Sequence, residues 1–156
     1  MKTELILVGK TNDKHFQAGI DDYCQRIGHY MPFSVTVIPE LKNTKSLSFQ
    51  QQKEREGELI LAKLQSSDHV VLLDEHGKDF RSVEFARWIE QKNASVRRLV
   101  FVIGGPYGLS EAVYSRANEK ISLSKMTFSH QMVRLVFVEQ IYRACTIIKG
   151  EPYHHE

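Results

Sequence analysis

Two runs in this sequence, residues 70–73 (VVLL) and 99–103 (LVFVI), are apolar at every position. A strand with one face in water alternates polar and apolar residues. A strand without that alternation is covered on both faces. Such strands belong to parallel sheets sandwiched between helices, and the rest of the chain supplies the helices. ELILVG (4–9) reads as a first strand. Phe16, Ile20, Tyr23, Cys24 and Ile27 fall at helical spacing within 13–28, with Gly28 at the end. PFSVTVIP (32–39) alternates Phe33, Val35 and Val37 on one face and reads as a strand between prolines. Residues 40–47 read as a loop. Ser48 and Gln51 fit a capping box for a helix running to about residue 65. HVVLLD (69–74) is a strand, EHGKDF (75–80) a turn, and VEFARWIEQ (83–91) a helix with Phe85, Trp88 and Ile89 inward. RRLVFVIGG (97–105) is the most apolar strand. Ser110 caps a helix over 111–117, residues 120–123 form a short strand, and 129–148 a long helix. The expected class is α/β, a parallel sheet with helices on both faces, in a single domain spanning 1–156.

Composition narrows the function classes. The net charge of +2 excludes a polycationic coat, although a local basic patch fits within so small a total. Cys24 and Cys145 match no metal spacing, and a disulfide scaffold is excluded. No apolar run approaches the roughly 20 residues that span a bilayer. The expectation is a cytoplasmic protein with no membrane segment and no metal.

In such sheets, sites gather at the carboxyl ends of strands. VGKT (8–11) has Glu4 where a phosphate-binding loop requires its first glycine, so that cradle is absent. GGPYG (104–108) does not fit a dinucleotide fingerprint, and Pro106 removes a backbone donor. It reads either as a tight turn or as a loop where a flat ligand approaches the main chain. Met126 and Phe128 are poor turn residues, so core or ligand should cover them. The last helix is apolar almost all round, which points to burial on more than one side and to a second subunit. Glu139 and Arg143 are i, i+4 neighbours, and Arg134 suits a phosphate or a carboxylate. The tail GEPYHHE (150–156) has no core pattern, which predicts a frayed end. A tyrosine and a histidine beside a cleft also suit a nucleobase.

Taken together, VGK near the start, LDEHGK, FVIGGPYGL, LSLSKMTFSHQMVRLVFVEQIYRA and the closing YHHE resemble the ribosomal RNA large subunit methyltransferase H family. These are small SPOUT-class enzymes that methylate N3 of a pseudouridine in helix 69 of 23S rRNA. The resemblance runs nearly the full length and is softest at 40–55. Ser129 stands where a proline is familiar after Phe128. The resemblance implies a SPOUT-type sheet with a C-terminal deep trefoil knot, a homodimer, and action on 23S rRNA within the assembled ribosome. It implies S-adenosyl-L-methionine as methyl donor, held by Leu73, Gly104, Leu123, Ser124, Lys125, Met126, Thr127 and Phe128. It places His130, Arg143, Tyr153 and His154 around the target base as the catalytic group. Two other classes compete: a non-catalytic α/β dimer that binds a nucleotide or RNA, and another small α/β enzyme using His130 as acid and base. Turnover separates the first from the binding module.

Overall fold

The computed structural model describes residues 1–156. Its strands are β1 (Lys2–Val8), β2 (Phe33–Ile38), β3 (His69–Asp79), β4 (Arg98–Ile103) and β5 (Glu119–Ser122). Its helices are α1 (Lys14–Ile27), α2 (Phe49–Leu61), α3 (Ser82–Ser95), α4 (Glu111–Arg116) and α5 (Met132–Ile148). All strand pairs are parallel, and the spatial order is β2-β1-β4-β3-β5.

The two-residue period of a strand divides the apolar runs between two cores. Leu5, Leu7, Phe101 and Ile103 pack with Ile20 of α1, Phe85 of α3 and Phe137 of α5. Ile6, Val8, Val100 and Val102 face the opposite way, with Ile60 of α2 and Val113 of α4. The runs are uniformly apolar because helices cover both faces.

The caps behave as their chemistry dictates. Asp13 accepts from the amides of His15 and Phe16 at the start of α1. Ser48 and Gln51 form the reciprocal capping box of α2. The Ser110 hydroxyl accepts from the Val113 amide. α2 ends at Leu61, short of residue 65, because the amides of Lys63 and Leu64 bond back three residues and tighten the chain out of the α-helix. α5 begins at Met132, not at 129. Ser129 still serves its start, its hydroxyl accepting from Gln131 and Met132.

Two expectations need correction. Residues 75–80 are not simply a turn. Ile121 of β5 pairs with both Leu73 and Lys78, so residues 74–77 bulge out and β3 then resumes to Asp79. Gly77 permits this, since a Cβ there would lie 2.5 Å from the Ile121 backbone. The apolar last helix also does not by itself call for a second subunit. α5 lies on the sheet between α1 and α3, and its own chain buries Phe137, Val138, Ile141, Ala144 and Cys145.

Candidate active site

The carboxyl ends of β3, β4 and β5 open into one cleft of about 660 Å³. Three loops build it. Leu73, Asp74 and Glu75 come from the β3 bulge. Gly104 to Leu109 form the turn from β4 toward α4, closed by a bridge between Gly105 and Gly108, with Gly108 at φ +85°. Ser122 to Ser124 and Met126 to His130 follow β5, and Val133 of α5 completes the wall. At Gly104 a Cβ would meet the Leu109 side chain at 3.0 Å, so the turn is packed without room for a side chain.

Leu73, Gly104, Leu123, Ser124, Met126, Thr127 and Phe128 all line this cleft. Lys125 does not: it belongs to the same loop but is exposed outside the lining. Met126 is 79% exposed, so the core is not what covers it.

The cleft is acidic on its β3 side. Burial alone would raise the Asp74 carboxyl, but hydrogen bonds from the Tyr114 hydroxyl and the His76 amide outweigh it and hold it below the ordinary range. Tyr114 is raised in turn, by burial first and by its bond to Asp74 second. Asp74 and Glu75 line the cleft and no lysine or arginine does. A cationic ligand such as a sulfonium carrying an ammonium group fits this wall. Asp74 was readable as a strand-end acid, whereas Tyr114 reaches it from forty residues away, with no local signal in the sequence.

The four residues expected around the target base are not one constellation within a single chain. His130 is exposed at the cleft. Arg143, Tyr153 and His154 sit together elsewhere. Arg143 donates to Glu139 at 2.7 Å and to His154 Nδ1 at 3.0 Å, and its guanidinium lies 4.8 Å from the Tyr153 ring centroid. With Nδ1 accepting from Arg143, the His154 proton resides on Nε2, a buried atom without a hydrogen-bond partner. The Tyr153 hydroxyl donates to Glu139 at 2.9 Å, and its ring meets Tyr142 edge-on at 4.7 Å. Val133 and Arg143 are ten residues apart on α5, about 15 Å along its axis. The tail is therefore not frayed. It is docked on α1 and α5, with Tyr30 donating to Glu151 at 2.6 Å.

Arg134 also departs from expectation. It meets neither phosphate nor carboxylate. Fully buried, it donates to the carbonyls of Val8 and Gly9 and to the Thr11 hydroxyl, tying α5 to the end of β1. No group of three or more His, Cys, Asp or Glu is placed to hold a metal, and both cysteines are free.

Residues 1–154 match the family model described as "Predicted SPOUT methyltransferase". The chain belongs to the SPOUT methyltransferases. Similar proteins carry the name Ribosomal RNA large subunit methyltransferase H. The one from Bacteroides fragilis is 66% identical, that from Phocaeicola vulgatus 64% and that from Flavobacterium johnsoniae 56%, each across the whole of both chains.

Proposed function

We propose that this SPOUT methyltransferase uses S-adenosyl-L-methionine to methylate large-subunit ribosomal RNA, at N3 of a pseudouridine in helix 69 of 23S rRNA on the assembled ribosome. The observation that carries the reading is the cleft itself: a glycine-rich turn, an apolar enclosure and an acidic wall, in a chain two-thirds identical to a protein named Ribosomal RNA large subunit methyltransferase H. The main chain of 104–108 and of the loop after β5 offers amides and carbonyls to an adenine edge. Leu73, Leu123 and Phe128 enclose its faces. Asp74 and Glu75 face the positive charge of the donor. When bound, S-adenosyl-L-methionine supplies an already electrophilic methyl group, so the protein's work is alignment and exclusion of water. The Lys125 side chain lies outside the lining.

The target N3–H gives up a proton, which requires a base or a polarising donor nearby. His130 stands at the cleft for this. Arg143, about 15 Å along α5 from Val133, and the tail residues Tyr153 and His154 docked beside it stand apart from His130 within one chain. We place them over the cleft from the opposite subunit of a homodimer, where Tyr153 of the partner subunit stacks on the base. Arg143 of the partner subunit steadies a carbonyl or phosphate, and His154 of the partner subunit hydrogen-bonds the base. A low net charge suits a cytoplasmic enzyme whose RNA is presented on a preformed ribosomal surface, since binding to free RNA leans on phosphate neutralisation. No helix is long and apolar enough to cross a membrane.

Ribosomes from cells lacking the protein, incubated with it and methyl-labelled donor, test the reading. Label is expected in the helix 69 loop. Uptake of the donor without label there would support a binding module and overturn the enzyme.

A further inference from the structure

Two exposed aromatic rings stack on each other at the mouth of the cleft. Phe49, the first residue of α2, and Tyr107, in the glycine turn, have centroids 4.3 Å apart and planes 17° apart. Phe49 is 65% exposed and Tyr107 39%, and neither belongs to a core cluster. Around Phe49, Lys42, Lys45, Lys53 and Arg55 are interleaved with Glu40, Glu54, Glu56 and Glu58. None of the four basic residues pairs with a carboxylate, although six lysine or arginine pairs with carboxylates occur elsewhere in the chain. Lys53 lies four residues after Phe49, on the same face of α2.

We propose that the Phe49–Tyr107 stack is a platform for a nucleobase of the RNA substrate, a neighbour of the nucleotide being methylated, with Lys45 and Lys53 on the flanking phosphates. The inference rests on the RNA-methylating function proposed above and adds a residue-level contact to it. Every base has a π face, and an aromatic ring backed by a second one offers it a rigid, desolvated surface. Unstacked bases of loops are what such surfaces capture. Each lysine adds a charge that displaces a counterion from a phosphate.

Phe49→Ala and Phe49→Tyr test this, each assayed on ribosomes lacking the methyl group. Donor affinity is measured by calorimetry and mass by light scattering. For Phe49→Ala the expected result is a KM for ribosomes raised about 5- to 100-fold, with kcat, donor affinity and mass held. Phe49→Tyr restores KM. Lys45→Gln and Lys53→Gln each reduce the slope of log affinity against log salt by about 0.7 to 0.9. An unchanged KM in Phe49→Ala overturns the platform. So does a weakened donor affinity, which would make the rings part of the cofactor wall, or a loss of mass, which would make them a subunit contact. If the unsubstituted protein methylates no ribosome, the proposed function fails instead, independently of Phe49.

Discussion

Arg134 places a guanidinium where water does not reach, 0% exposed, with no carboxylate in contact. Burial pulls its pKa below the ordinary value, and the charge of Glu40 partly offsets this. What justifies the burial is three hydrogen bonds to the end of β1. Arg134→Met leaves the Val8 and Gly9 carbonyls without a donor and should cost about 3 kcal/mol in urea denaturation. Glu56 of α2 is a different buried charge. Its Oε1 has no partner, and burial raises its pKa from the ordinary 4.5. The folded protein thus holds this proton more tightly than the unfolded chain. Its stability is full below the unfolded value and falls as pH rises through the raised one. Glu56→Gln should therefore stabilise by about 1 kcal/mol at pH 8 and by nothing at pH 4. Equal gains at both pH values would show that the charge is not the cause.

At the scale of elements, the β3 bulge joins architecture to site. Ile121 closes against the backbone at Gly77, and the same bulge puts Leu73, Asp74 and Glu75 into the cleft. Gly77→Ala forces a Cβ into the Ile121 main chain and should cost about 2–3 kcal/mol. Because the bulge must move, donor affinity should fall as well. Circular dichroism melts and calorimetric titration read the two effects separately. This bulge also marks where sequence reasoning stops. The strands and helices were legible because Val70–Leu72 and Leu99–Ile103 follow burial, and Ser48, Ser110 and Asp13 follow capping chemistry. Residues 75–79 are polar and contain a glycine, which is the composition of a turn. Their return to the sheet depends on β5, more than forty residues later. What covers the apolar face of α5 was hidden in the same way, since its neighbours α1 and α3 come from distant parts of the chain.

At the scale of the molecule, the parallel sheet gives the protein two unlike ends. At the amino ends of the strands, Arg98 bridges Glu4 and Asp68, and Glu119 receives His69, Trp88 and Lys92. At the carboxyl ends lies the cleft. Gly104 and the loop 123–128 were readable as site candidates because strand ends collect ligands, whereas a motif does not say that the Lys125 side chain lies outside the lining. The separation of Arg143 from the cleft was not readable, since a continuous motif hides the roughly 15 Å of helix between Val133 and Arg143. A dimer that reunites them makes a definite prediction. The intact protein should scatter light as twice its chain mass at micromolar concentration. Removal of residues 152–156 should leave donor binding within about twofold of the parent by calorimetry while abolishing methylation, because the donor loops contain none of those residues.

The docked tail also has a consequence in time. Tyr153 and His154 reach Glu139 and Arg143 by folding back onto α5, across 14 and 11 residues of chain. The cluster therefore forms only after α5 exists to receive the tail, and it opens before α5 does, so the tail amides should exchange hydrogen ahead of those of the helix.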